Sequence, residues 1–232
     1  LWLLALGLAW AGLGNLPLRD WDEAIAARVA LELSQQPLGT ALLLPTIWGE
    51  PYLNKPPGLH LLIAGTIRLW RWQTQAGPGA LPPEWIIRLV PALLSSLVVP
   101  LTGLIQQSLR PRDRLSSLLA ALVMLTLLPI ARHGRMAMLD GSQLSAMALL
   151  WLSLLRFRAG GHGQRLWGAL AGLAGSAMLL LKAPMLLPAL VAGLLALRLD
   201  PSAPRLPWRR LAVLLALGFM PGLSSHLFHL LG

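Results

Sequence analysis

Cysteine is absent from the 232 residues, which excludes disulfides, thiolate metal sites and a cysteine nucleophile. Charge is scarce as well. Only 12% of residues are charged against 56% hydrophobic, and the mean hydropathy is +0.64. A soluble domain of this length carries far more charge. No glycine-rich nucleotide loop is visible, and no clear internal repeat. Lysine is rare too: Lys55 and Lys182 stand among 19 basic residues, and the other 17 are arginines. Most arginines lie in short links beside apolar runs rather than along one patch. The net charge of +10 therefore reads as topology signals facing anionic lipid, not as nucleic-acid binding.

What remains is a series of apolar runs. A bilayer-spanning helix needs roughly 20 apolar residues. The runs at about 1–17, 85–108, 115–131, 140–155, 166–181, 183–197 and 208–231 are the candidate spans, several of them short. The expectation is an all-α polytopic membrane protein with about seven visible transmembrane helices. Residues 1–17 could be mistaken for a signal-peptide core, but no small-residue cleavage site follows and more spans come after. The chain begins at Leu1 and stops at Gly232 within an apolar segment. We read residues 1–232 as an N-terminal transmembrane catalytic module, with later spans and any C-terminal domain outside the sequence.

Two helical stretches in the long 18–84 segment differ from the spans. Residues 22–36 place Ile25, Val29 and Leu33 on one stripe, with Arg28, Glu32 and Gln36 on another. Residues 57–72 place Leu59, Leu62, Ile63, Thr66, Ile67 and Trp70 at helical spacing, flanked by Arg68 and Arg71. Apolar for only about 12 residues, the second suits an interfacial or re-entrant helix. If it does not cross, the links carrying Arg110/Arg112/Arg114, Arg156/Arg158/Arg165 and Arg198/Arg205/Arg209/Arg210 share one side, as cytoplasmic loops should. The 18–84 segment, the 131–139 link and the turn at Lys182 then face outward. Asp22, Lys55, Asp140 and Lys182 converge on that outer surface.

Each of these residues has two readings. Asp22 and Glu23 follow the first span at a helix start, where acids are favoured by capping and by the helix dipole. A carboxylate there is equally suited to act as a general base on a hydroxyl. Lys55 precedes Pro56-Pro57, a stiff approach to a helix start, and would either snorkel to lipid headgroups or present a point charge to a phosphate. Asp140 opens a span and could be its cap. Lys182 interrupts Leu179-Leu180-Leu181, and Pro184 breaks the helix just after it. A lysine in hydrocarbon costs on the order of 3 kcal/mol, so a task is implied. His60 and His133 stay in the background, and the ten tryptophans read as interface anchors.

The run Trp21-Asp22-Glu23-Ala24, with Gly49-Glu50-Pro51-Tyr52-Leu53-Asn54-Lys55-Pro56-Pro57, resembles the first outer loop of glycosyltransferase family 39. That family includes aminoarabinose transferases and protein-mannosyltransferase-like enzymes and has the GT-C membrane fold. Ala131-Arg132 through Asp140 resembles its second acidic loop, and Leu181-Lys182-Ala183-Pro184 its later Lys-Gly-Pro-like turn. The resemblance spans about 19 to 190. It implies a GT-C-like bundle and an inverting transfer of sugar from a polyprenyl-phosphate donor of undecaprenyl type. The acceptor would be a lipid, a glycan or a protein, at the outer face of the plasma (inner) membrane. Asp22 and Asp140 would match the catalytic acids, and Lys55 and Lys182 the lysines on the donor phosphate. His226 or His229 would match a histidine near that phosphate, with interfacial packing the other reading, and Glu23 is a secondary candidate. Aminoarabinose transferases commonly carry a metal-binding glutamate before the first lysine. Asn54 stands there, a poor zinc ligand, so a divalent metal, though possible, is doubtful, and no other cofactor is certain. A transporter or flippase for a lipid-linked substrate is the rival reading, though transporters place their charges near the midplane. An inactive fragment is a third.

Overall fold

A computed structural model of the chain describes residues 1–77, 79–161, 163–199 and 206–231, with the side chains of 40, 41 and 226–231 outside the description. Among the described residues eleven α-helices run in order: α1 (Trp2–Trp10), α2 (Asp22–Gln35), α3 (Gly58–Thr74), α4 (Glu84–Ser96), α5 (Val98–Leu109), α6 (Arg114–Thr126), α7 (Leu128–His133), α8 (Leu139–Ala159), α9 (Gln164–Lys182), α10 (Leu186–Leu199) and α11 (Trp208–Leu231). One short antiparallel hairpin, β1 (Thr46–Ile47) with β2 (Glu50–Pro51), precedes α3.

The two amphipathic stretches form helices within about two residues of their expected ends. The two helices pack together: Ala27 and Ala30 of α2 share a core with Leu59, Ile63 and Ile67 of α3, while the Ile25, Val29 and Leu33 stripe packs with Tyr52, Leu61 and Ala64. Arg68 of α3 donates to the carbonyls of Leu33, Ser34 and Gln36, satisfying the end of α2 where acceptors lack intrahelical partners. The hairpin is tied to α2 by Glu32, whose carboxylate accepts from the Thr46 hydroxyl at 2.7 Å and the Trp48 amide at 2.7 Å. This sets the path of the chain into Lys55.

The apolar runs are less uniform than their sequence suggests. Run 1–17 is helical only over Trp2–Trp10, because Gly12 turns with φ +64° and Pro17 follows. Run 115–131 stops at Thr126; Leu127 is extended and Pro129 begins α7, since its ring cannot sit inside α6. Among the described residues, two stretches suffice by length and hydropathy to cross a membrane: Glu84–Leu109, of 26 residues, and Gln164–Leu199, of 36. Helix length alone therefore does not carry the count of about seven crossings.

The second stretch doubles back. Gly168 at the start of α9 lies against Phe157 at the end of α8, and the Gln143 amide reaches the Lys182 carbonyl at 3.5 Å. Trp151 then donates to Ala189 at 2.8 Å, and Gly193 lies beside Leu154. Thus α9 runs antiparallel to α8 and α10 runs parallel to it, so the chain reverses at Lys182–Met185. Small residues let the bundle close tightly. The Gly172 backbone meets that of Gly218 on α11, an approach any side chain would block.

Candidate functional site

Four segments distant in sequence meet at one end of this bundle: the start of α2, the Leu53–Pro56 approach to α3, the start of α8, and the α9–α10 reversal. They enclose a cavity of about 700 Å3. Asp22, Lys55, Asp140 and Lys182 all line it, as does Asn54.

Neither aspartate caps its own helix, although each stands in a first turn, where the helix dipole favours a carboxylate. The residue preceding α2 is Trp21 and the one preceding α8 is Met138, and neither start has a side-chain cap. Instead Lys55 Nζ lies 3.2 Å from Asp22 Oδ1, and Lys182 Nζ lies 3.1 Å from Asp140 Oδ1. Both pairs are half-exposed at the cavity, where an ion pair is weak and exchangeable. Trp21 holds a strained backbone, φ +66° and ψ −100°, immediately before Asp22.

Local sequence explains how each lysine is aimed. Pro56-Pro57 stiffens the chain just before α3, and Pro184 ends α9 where Lys182 leaves helical geometry at φ −155°. The two lysine segments approach closely because Gly58 has no side chain. A Cβ built there would lie 2.6 Å from the Leu180 carbonyl oxygen. Beneath Lys55, His60 is 1% exposed, and its ring meets Tyr52 edge-on at 5.7 Å. Its Nδ1 lies 3.3 Å from the Pro56 carbonyl. Burial holds the His60 pKa down at about 4; the Pro56 carbonyl opposes this, while the Lys55 charge adds to it. Burial, then the nearby Asp22 charge, raises the pKa of Tyr52.

Glu23 turns away from the cavity. It is 1% exposed and receives Arg88 in a two-pronged pair, Nε to Oε1 at 2.7 Å and Nη2 to Oε2 at 2.8 Å. The backbone amides of Arg19 and Ala137 donate to it as well, each at 2.9 Å. Burial pushes its pKa up, but the Arg88 bond and these amides outweigh that and hold it below the usual value. Arg88 also donates to the carbonyls of Leu13, Leu16 and Pro17. The pair thereby joins the end of the first apolar run, α2, α4 and the approach to α8, which places Asp22 across from Asp140. Sequence reasoning missed Arg88. The signal was present, a charge inside the apolar run Trp85-Ile86-Ile87-Arg88-Leu89-Val90, and the test applied to Lys182 would have found it.

The side chains of His226 and His229 lie outside the described residues. Asn54 lines the cavity, each neighbouring carboxylate is held by a lysine, and His60 is taken by Tyr52 and Pro56. Among the described residues no three histidine, aspartate or glutamate side chains gather in a metal-holding group.

Comparison with known proteins gives the fold a relative. The crystal structure of ArnT from Cupriavidus metallidurans in the apo state is similar, with a TM-score of 0.74 at 21% sequence identity. The match covers 99% of this chain and 40% of that one, so the chain spans less than half of that relative's length. No curated protein sequence matches. The family described as dolichyl-phosphate-mannose-protein mannosyltransferase matches residues 51–199, from the hairpin before Lys55 to the end of α10. The chain is an integral membrane protein that belongs to this mannosyltransferase family, within glycosyltransferase family 39.

Proposed function

We propose that the chain is the N-terminal module of a membrane glycosyltransferase. It would transfer a sugar with inversion from a polyprenyl-phosphate donor to an acceptor hydroxyl at the outer membrane face. The observation that carries this reading is the shared cavity: two lysines and two aspartates, separated by up to 160 positions, line one space of about 700 Å3.

In this scheme the donor phosphate enters between Lys55 and Lys182, whose ammonium groups stabilise the charge left on the phosphate. Each lysine exchanges its carboxylate for the phosphate, which frees Asp22. Asp22 then accepts the proton of the acceptor hydroxyl as that oxygen bonds to the anomeric carbon. The bond from that carbon to the donor phosphate breaks, and its electron pair leaves with the phosphate. Asp140, across the cavity, faces the sugar. No step needs a metal. Charges at the ends of helices, rather than at mid-span, favour turnover over the transporter reading.

The test is transfer from labelled undecaprenyl-phosphate sugars in membranes bearing the full-length protein. Asp22→Asn is expected to lower kcat by roughly 10²–10⁴ while the protein still folds. Lys55→Ala is expected to raise the donor KM about tenfold or more, with little change for the acceptor. Activity retained in Asp22→Asn would remove Asp22 from the chemistry.

A further inference from the structure

Behind the Glu23–Arg88 pair lies a second concavity of about 280 Å3 that shares no lining residue with the lysine cavity. Four arginines line it, Arg19, Arg88, Arg132 and Arg135, and no carboxylate does. Glu23 neutralises Arg88 from behind. Arg135 donates to the Ala9 and Ala11 carbonyls, which hold its guanidinium in place without cancelling its charge. Arg19 and Arg132 are exposed and, among the described residues, have no side-chain partner. Three uncompensated cations from two segments, Arg19 before α2 and Arg132 and Arg135 around the end of α7, thus line one space. Arginines that merely snorkel would disperse toward solvent.

This concavity adjoins a groove of about 210 Å3, with which it shares Ala131 and Arg135. The groove runs between α1 and the α4–α5 region, and Leu8, Val99, Leu125 and Ile130 make it mostly apolar, with Ser95 and Ser96 the polar residues beside Arg135. A cationic cup adjoining a mostly apolar channel is complementary to an amphiphile, not to a free anion. We propose that this pair of cavities binds an anionic phospholipid. The phosphate lies among Arg19, Arg132 and Arg135, where guanidinium forks match its oxygens, and one acyl chain occupies the apolar groove. Such a lipid would brace the Glu23–Arg88 hub from the side opposite the lysine cavity. The inference is independent of the glycosyl-transfer reading.

The test titrates the full-length protein in detergent with phosphatidylglycerol, phosphatidylcholine or inorganic phosphate, with bound lipid read by native mass spectrometry. Phosphatidylglycerol is expected to be retained in preference to phosphatidylcholine. The double variant Arg19→Gln/Arg132→Gln should weaken phosphatidylglycerol binding about thirtyfold, and Arg132→Gln alone about fivefold. Ala131→Trp, which keeps every charge and plugs the junction of the two cavities, should also abolish retention. Arg112→Gln, in the link between α5 and α6, should change nothing. Unaltered retention in the double variant, or an equal loss in Arg112→Gln, would overturn the site. Displacement of the lipid by inorganic phosphate at equal concentration would overturn the lipid assignment. Melting temperatures of all variants are compared with wild type, and the single variant carries the test if the double variant does not fold.

Discussion

Glu23 and Asp22 are neighbours with opposite tasks. One turn of backbone sends Asp22 into the lysine cavity and Glu23 into the protein, where Arg88 and two amides hold it. A buried pair gains little over apolar packing, but removing one partner leaves the other charge unpaired. Glu23→Ala is therefore expected to destabilise the fold by about 3–5 kcal/mol, read as a lowered melting temperature, with Arg88→Met in the same background restoring part of the loss. A fully additive double variant would mean the two groups act separately. His60 predicts a pH dependence. Its pKa is about 4 in the fold against 6.5 in the unfolded chain, so the unfolded chain takes up the proton first as pH falls. Its contribution is present above pH 6.5 and is lost between 6.5 and about 4, by roughly 3 kcal/mol. Melting temperatures measured across that window should fall more steeply for wild type than for His60→Leu. Parallel curves would show that His60 does not titrate this way.

At the scale of elements, the amphipathic pair α2 and α3 was legible because periodicity is a local property: Ile25, Val29 and Leu33 repeat as a helix face whatever lies opposite. The spans were less legible. Run 1–17 and run 115–131 break early, where Gly12 and Pro129 override a continuous apolar composition. Close approaches were not legible at all. Nothing local marks Gly58 as the point where α3 meets the end of α9, since a glycine at a helix start has many uses. Gly58→Ala puts a methyl group against the Leu180 carbonyl. It is expected to cost on the order of 1–3 kcal/mol and to separate the Lys55 and Lys182 segments, lowering transfer at saturating acceptor. A variant with wild-type melting temperature and activity would show that the contact is not tight.

Across the whole molecule, orientation links fold to function. The arginine-rich links and the lysine cavity are expected on opposite faces of the membrane. The absence of native cysteine makes this directly measurable. Cysteine placed at 54 should react with an impermeant reagent from outside, and cysteine at 112 only after the membrane is opened. Labelling of position 54 from the cytoplasmic side alone would invert the topology and remove the outward-facing site. The chain spans 40% of the length of its structural relative.

By itself the sequence determined what composition and local pattern can carry: a helical membrane class, two amphipathic helices, and the order of motifs that marks the family. It also singled out Lys55 and Lys182, because two lysines among 19 bases are conspicuous before any contact is known. Tertiary structure alone decided which charges meet. Asp22 could have capped α2 and Lys55 could have reached lipid; their pairing across 33 positions depends on how α2 and α3 pack. It decided that Glu23 faces inward, since neighbouring residues on a helix point in different directions and only the packed surroundings select which one meets Arg88. And it decided where the chain goes after the turn that the sequence already placed at Lys182. A proline breaks a helix locally, but the direction the chain takes afterwards is set by the groove that α8 offers to α10.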